Sequence, residues 1–317
     1  MTSTEMKTIA LGGTDIVASN IAVGLMRVEQ LTDEQIRAMV TAGRDAGVNF
    51  FDTADVYGSV DHLAERRVAE ALRLTPSQRG EVYIQTKAGI VREDGPYFDF
   101  STAHILQAVD GSLAALNTDY IDVLLLHRPD ALVEPDEVAA AFDRLAEQGK
   151  VRHFGVSNHT VGQMDLLRRS VTQPLIANQL QLSITHAPLI AEGVATNMQA
   201  VPQSIDRGAG ILDYCRLHGI AVQAWSPYQA GYFTGTFLGD REKYPQLNEL
   251  IDTLAAAYGV PPIAIATAWI TRIPGAVQVV TGTTNPDRIA GACAGSQLPL
   301  TRAEWYALFR ASGYTIP

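Results

Sequence analysis

Four side chains suited to moving a proton onto a carbonyl oxygen recur where apolar runs give way to polar ones: Asp52, Tyr57, Lys87 and His127. Asp52 and Tyr57 share the stretch Asn49-Phe50-Phe51-Asp52-Thr53-Ala54-Asp55-Val56-Tyr57-Gly58. Its apolar start predicts a short buried strand and its polar end a loop. Residues 82–87 and 123–127 repeat the pattern, ending in Lys87 and His127. A free phenol has a pKa of about 10 and a lysine about 10.4. In a dry pocket a nearby ammonium favours phenolate, so Lys87 is expected to lower the Tyr57 pKa and make it a better acid. Asp52 is expected to pair with Lys87 and offset the desolvation of both charges. His127 can hydrogen-bond a substrate oxygen and help deliver the proton. Such a group suits protonation of the alkoxide formed when hydride reaches a carbonyl carbon. Each residue alone has a plainer reading, as a turn former, a loop-packing ring, or a surface or core side chain. The chemical reading needs all four at one mouth.

Parallel strands joined by helices would collect those strand ends on one face. Residues 7–10 and 15–17, joined through Gly12-Gly13, predict a hairpin. Strands are then expected at 21–24, 50–52, 82–87, 120–127, 151–157, 175–182, 221–225 and 275–281. Helices are expected at 33–46, 61–74, 101–116, 135–148, 160–170, 211–218 and from 286 towards 293. The alternation predicts an α/β fold, a closed (β/α)8 TIM barrel spanning residues 1–317 as one domain. An open doubly wound sheet is the alternative, but its Gly-rich first turn is missing. Three segments fall outside the repeat. Residues 183–210 read as a long polar loop, a lid or an oligomer contact. An extra helix is expected at 245–258, before one at 262–272, and residues 300–317 add a terminal helix and an aromatic tail.

Hydrophobic residues make up 47% of the chain and charged residues 18%, which suits a packed protein and argues against disorder. A net charge of -10 and a pI near 5.1 repel nucleic acid and anionic membrane, so neither is an expected partner. A small anionic cofactor stays open, since a local cationic cluster overrides the global field. Cys215 and Cys293 have no metal-ligand spacing and no paired framework, so buried, reduced thiols are expected. The first residues lack the basic and apolar regions of a signal peptide, and no apolar run is long enough to span a bilayer. A cytoplasmic protein is expected, with homo-oligomerisation left open. Gly208-Ala209-Gly210 lacks the third glycine and preceding strand of a dinucleotide fingerprint, and His153 and His159 lack a third ligand for zinc.

Several stretches together carry a family resemblance. Phe51-Asp52-Thr53-Ala54-Asp55-Val56-Tyr57-Gly58, Lys87-Ala88-Gly89, Leu125-Leu126-His127-Arg128-Pro129-Asp130, the run 149–158 and Ala224-Trp225-Ser226-Pro227 resemble the signatures of aldo-keto reductases. The resemblance runs from Leu11 to the C-terminus. His127-Arg128-Pro129-Asp130, the run 151–158 and Gly313-Tyr314-Thr315-Ile316-Pro317 resemble a bacterial subgroup of general oxidoreductases. The resemblance implies a barrel that binds NADPH, with NADH possible, and reduces an aldehyde or ketone or runs the reverse reaction. It implies Tyr57 as general acid, Lys87 and Asp52 tuning it, and His127 orienting the carbonyl. Ser157, Asn158 and Gln179 would hold the nicotinamide carboxamide, and Trp225 would stack on its ring. Ser226, Pro227 and the loop through Gly231 would pass along the pyrophosphate.

Gly282-Thr283-Thr284-Asn285-Pro286-Asp287-Arg288 matches the family's adenosine-phosphate site. Physically it is a strand ending in small, hydroxyl-bearing residues before a helix start, where backbone N–H groups and the helix dipole favour an anion. Arg288 can offer a planar fork to a 2′-phosphate. Two departures stand out: Gly282 replaces a lysine of many members, and Gly291 and Ala292 replace glutamate and asparagine contacts to adenine. Substrate loops are expected to carry Met26, Arg27, Tyr97, Phe98, Arg128, Tyr228, Tyr232, Phe233 and Tyr314. Two competing readings share the barrel. One is a cofactor-binding regulatory or redox-sensing subunit with little turnover; the other is a non-redox isomerase or lyase, which would not need Trp225 or the Ser157-Asn158 pair.

Overall fold

The computed structural model describes residues 5–93, 95–199, 201–232 and 234–317. β1 (Thr8–Ala10) and β2 (Val17–Ser19) form the expected antiparallel hairpin, Ile9 opposite Ala18. The chain then alternates through β3 (Ile21–Gly24), α1 (Asp33–Asp45), β4 (Phe50–Asp52), α2 (Leu63–Leu72), α3 (Pro76–Arg79) and β5 (Tyr83–Ala88). A two-stranded ribbon, β6 (Ile90–Val91) with β7 (Tyr97–Phe98), precedes α4 (Thr102–Leu116) and β8 (Ile121–Leu126). Next come α5 (Pro135–Glu147), β9 (Val151–Ser157), α6 (Val161–Leu167), β10 (Leu175–Gln181), α7 (Pro188–Val194), α8 (Ile211–Leu217) and β11 (Ala221–Trp225). The end of the chain holds α9 (Pro245–Tyr258), α10 (Pro262–Thr271), β12 (Val277–Thr281), α11 (Pro286–Cys293) and α12 (Arg302–Ala311).

Eight parallel strands close in the order β3-β4-β5-β8-β9-β10-β11-β12, with β12 pairing back to β3. This is the (β/α)8 barrel that the alternation predicts. Strands such as β8 are buried along their whole length, because their outer faces lie under helices and their inner faces fill the barrel. α1 shows how the outer ring is specified. Thr32 and Gln35 form a capping box, and Ile36, Met39, Val40 and Gly43 repeat at helical spacing on the buried face. The hairpin closes the amino-terminal end. Ile9, Leu11, Ile16 and Ala18 cluster with the inward-facing Phe50, Val123, Leu125 and Ile176. Each such aliphatic side chain contributes about 1.5–3 kcal/mol on burial. With that end filled, the open space lies at the carboxyl ends of the strands.

The structure departs from the sequence reading in several places. The helix expected at 61–74 spans only Leu63–Leu72, and Pro76 then opens a short one of its own. Pro76 begins α3 at the first helical position, with Thr75 and Gln78 as a capping box. Residues 183–210 are not one loop: they hold α7 and a 3-10 turn (Pro202–Ser204) and are tied to the chain's end. The Ala187 amide donates to Tyr314 Oη at 2.7 Å, and Gln203 exchanges two hydrogen bonds with Thr315. β12 starts at Val277, two residues later than expected. Cys215 and Cys293 are free and buried, as expected. Among the described residues no single helix is long and apolar enough to cross a membrane.

Candidate active site

Asp52 closes β4 and Lys87 lies near the end of β5, the neighbouring strand, while His127 directly follows β8, the strand after that. Tyr57 returns from the loop after β4. The barrel therefore brings all four together. Lys87 is wholly buried, and its three ammonium hydrogens each have an acceptor: Asp52 Oδ2 at 2.8 Å, the Thr53 carbonyl at 2.8 Å and Tyr57 Oη at 3.1 Å. The His127 ring meets Tyr57 edge-on, with centroids 5.7 Å apart. Its Nδ1 is buried without a hydrogen-bond partner.

The electrostatics correct one expectation. Burial pushes the Tyr57 phenol above its ordinary value; Lys87 pulls it down, but Asp52 works against Lys87 and the net shift is upward. Lys87 does lower it, as its charge requires, yet the dry environment outweighs the cation. Burial also works to discharge Lys87 itself, but Asp52 and Tyr57 more than compensate and its pKa is raised. His127 is held well below the usual imidazole range by burial first, then by Lys87 and Arg128, so its ring is neutral.

Beneath Asp52 lies a polar layer that reading by motif missed. Asp52 Oδ1 accepts from Gln85 Nε2 at 2.6 Å and from Gln179 Nε2 at 2.9 Å. Gln85 and Gln223 exchange hydrogen bonds, and Gln223 donates to Gln278 at 2.8 Å. Gln179, Gln223 and Gln278 are in register on three adjacent strands, so they form one inward-facing layer. Their signal in the sequence is a glutamine inside each otherwise largely apolar strand. A second chain of hydrogen bonds runs around the rim. Trp225 Nε1 donates to Asn158 Oδ1 at 3.0 Å, Asn158 Nδ2 to Ser157 Oγ at 2.7 Å, and Ser157 Oγ to the Gln179 carbonyl at 2.9 Å. Asn158 and Ser226 both adopt left-handed backbone at strand ends, at φ 60 and 52. Such strain in non-glycine residues collects at functional sites.

A cavity of about 920 Å³ opens over these groups, at the carboxyl ends of the strands. The profile of the Aldo/keto reductase family matches residues 20–311. The chain belongs to the aldo/keto reductase family. A 6-dehydroglucose reductase of Novosphingobium aromaticivorans is 33% identical over 315 residues, covering 97% of this chain and 96% of that one. The uncharacterized oxidoreductase YcsN of Bacillus subtilis is 30% identical, over 96% of this chain and 97% of its own length. Among solved structures, an aldo-keto reductase from Klebsiella pneumoniae in complex with NADPH superposes with a TM-score of 0.75. It is 26% identical and covers 98% of this chain and 96% of its own.

Within this aldo/keto reductase barrel the cavity wall includes Asp52, Tyr57, His127, Ser157, Asn158, Gln179, Trp225, Ser226 and Pro227. Lys87 lies one layer behind the wall. Gly282, Thr283, Thr284 and Arg288 also line the cavity; Gly231 does not. Asn285 caps α11, accepting from the Arg288 amide at 3.0 Å, so the helix start is built as the sequence predicts. Arg27 Nη1 donates to the Gly282 carbonyl at 2.7 Å, bringing a guanidinium beside the position where many members carry lysine. The other departure also has a local cause. Gly291 abuts the start of α10, and a Cβ there would come 2.9 Å from Ile263 Cγ2. Pro261, Pro262 and Ile263 thus fill the wall beside it, leaving no room for a polar side chain.

The expected substrate residues divide. Met26, Arg27, Arg128, Tyr228 and Tyr232 line the cavity. Tyr228 shows it a ring only, because its hydroxyl hydrogen-bonds with Thr267 at 2.8 Å. Tyr97 and Phe98 do not line the cavity: β7 pairs with β6, and Ile90, opposite Phe98, takes the wall position while both aromatics stay exposed. Tyr314 is withdrawn too, stacked on Phe309 and bonded to Ala187. Phe233 lies outside the described residues.

Proposed function

We propose that this chain is an NADPH-dependent carbonyl reductase in which Tyr57 is the general acid. The observation that carries the reading is the Tyr57 Oη–Lys87 Nζ–Asp52 Oδ2 line, at 3.1 and 2.8 Å, facing the cavity beside a neutral His127. The residues present fit a dinucleotide phosphate. Arg27 and Arg288 line the cavity of a chain with net charge -10, and among the described residues the one carboxylate in the wall, Asp52, is paired with Lys87. Arg288 with Thr283 and Thr284 would hold the 2′-phosphate. Ser226, Pro227 and the loop through Gly231 would follow the pyrophosphate. Ser157, Asn158 and Gln179 would hold the carboxamide, and Trp225, its indole fixed by Asn158, would cover the ring. When bound, the nicotinamide supplies the hydride to the carbonyl carbon.

The chain's own residues supply the rest. With Nδ1 lacking an acceptor, the His127 proton belongs on Nε2, where a carbonyl oxygen can accept it. As negative charge grows on that oxygen, Tyr57 Oη gives up its proton to it. Lys87 stabilises the phenolate left behind, which regains a proton from water. Lys87 thus acts on the charge that develops during reaction, whatever its net effect on the resting phenol. The reverse reaction runs the same steps backwards, with Tyr57 as base.

The test is a titration with NADPH and NADH followed by tryptophan fluorescence, then turnover of a panel of aldehydes and ketones. NADPH is expected to bind, and Tyr57→Phe to lower kcat by about 10²–10⁴ while leaving NADPH binding intact. Nucleotide binding with no turnover of any carbonyl would favour the regulatory-subunit reading. Failure of either nucleotide to bind would sink the proposal.

A further inference from the structure

The cavity holds more positive charge than its cofactor can use in one place. Its guanidiniums fall into two groups. Arg27, next to β3, reaches the Gly282 carbonyl beyond β12, and Arg288 lies on α11 just after it. Arg128 follows His127 at the end of β8. In the closed barrel, β8 and β12 are four strands apart in either direction, so they face each other across the mouth. Phosphates held at the β12 side do not reach the β8 side as well.

Arg128 is also unspent. Among the described residues no carboxylate lies within 4.0 Å of it, and no hydrogen bond holds its guanidinium. Its guanidinium rests over the face of Trp225, 5.6 Å from the ring centroid. The nearest acid in sequence, Asp130, is committed to the amides of Phe100 and Leu132 at 3.1 and 2.8 Å. A half-buried guanidinium beside an indole and without a polar partner keeps its planar fork of donors available, and that fork matches an oxyanion. It sits one residue from the side chain that would bind the carbonyl oxygen.

We propose that the substrate of this site is a carbonyl compound carrying an oxyanion, a carboxylate in the first instance, which Arg128 binds. The inference rests on the reductase reading and narrows it to a substrate class. A neutral carbonyl compound leaves Arg128 unpaired in the filled cavity; an anionic one supplies its missing partner and is drawn in by the positive field of the mouth.

The experiment compares 4-oxobutanoate with its methyl ester, which lacks the charge and adds one methyl group, as substrates with NADPH. The wild type is expected to favour the acid by about tenfold or more in kcat/KM, chiefly through KM, and Arg128→Gln to bring the ratio to about one, with Arg128→Lys between. The Kd for NADPH, read by fluorescence, should not move. Equal kcat/KM for acid and ester in the wild type would overturn the inference. So would a ratio unchanged in Arg128→Gln, or a weakened NADPH affinity in that variant, which would reassign Arg128 to the cofactor. A second arm is independent of turnover. Succinate, ethanesulfonate and inorganic phosphate are titrated against the protein with NADP⁺, reading Trp225 fluorescence. Succinate should quench in the wild type and not in Arg128→Gln; stronger responses to sulfonate or phosphate would name the oxyanion. Absence of any response would overturn the inference. Arg128-dependent succinate binding without turnover of either aldehyde would overturn the reductase reading and leave the anion site standing.

Discussion

Asp52 closes β4 and Asp55 lies three residues on, in the loop that follows; both are buried, and their surroundings are opposite. Asp52 accepts from Lys87, Gln85 and Gln179, so its charge is neutralised and both oxygens are occupied. Asp55 has Oδ1 buried with no partner; the His62 ring, then the Val56 amide, favour its charge without outweighing burial. Its acidic neighbours are Glu65 and Asp61, and the Tyr57 phenol is near enough to feel its charge. Burial, then repulsion from Glu65, lifts the Asp55 carboxyl to about 8. Glu65 in turn is engaged by His62 Nδ1 at 2.7 Å and Thr86 Oγ1 at 2.5 Å. The His62 ring fits because Gly111 faces it: a Cβ there would be 2.3 Å from Nε2. One aspartate is paired with a cation and fully hydrogen-bonded. The other, buried without such partners, keeps its proton.

The largest effect is expected from breaking the first arrangement. Lys87→Met leaves Asp52 as an uncompensated buried charge, which costs about 3–5 kcal/mol of stability. It also removes the cation beside Tyr57, so kcat should fall by about 10²–10⁴. Urea unfolding and steady-state kinetics read the two separately. Adding Asp52→Asn should restore most of the stability and none of the rate. A Lys87→Met protein as stable as the wild type would mean that the pair does not hold Asp52 ionised.

A smaller effect, of opposite sign, is expected at Asp55. In the unfolded chain its carboxyl releases a proton near pH 4, as an ordinary aspartate does at about 3.9. The native state keeps that proton to about 8. Between those values the folded chain binds more protons than the unfolded one, so stability falls as pH rises and levels off above the folded pKa. Asp55→Asn removes the slope. The variant should match the wild type at low pH and exceed it by a few kcal/mol near pH 8, since each unit of separation is worth about 1.4 kcal/mol. Denaturation curves at several pH values measure this. A constant difference across the series would show that Asp55 does not hold its proton.

The contrast between the two aspartates also marks what a sequence can disclose. Asp52, Lys87 and His127 were legible because each closes a strand-like run, and Tyr57 because it lies on the loop just after the first, and strand order then converts four separate positions into one site. The eight strands were legible for the same reason, as repeated apolar segments between capped helices. The state of Asp55 was not legible, because it depends on α2 delivering Glu65 and on α4 offering a glycine to His62. The glutamine layer was visible as glutamines inside largely apolar strands but had no meaning until the register aligned Gln179, Gln223 and Gln278. Tyr97 and Phe98 were misjudged for a related reason. A ribbon's pairing decides which face looks inward, and here Ile90 takes that place. The sign of the Tyr57 shift needed a balance between burial and charge that spacing alone does not supply.

The smallest effect joins the two aspartates through the phenol between them. His127 is held well below 6.5 and Tyr57 above 10, so neither should change protonation across the neutral range. Asp55 does titrate there, at about 8, and once ionised it repels the phenolate that Tyr57 must become. For carbonyl reduction, kcat/KM should therefore be flat from about pH 6 to 7.5 and then fall a few-fold through the Asp55 transition. In Asp55→Asn the profile should stay flat through that step. A limb near pH 6.5 in the wild type would contradict a neutral His127. A limb near 8 that survives in Asp55→Asn would have to come from another group, and the two aspartates would then be coupled only through stability.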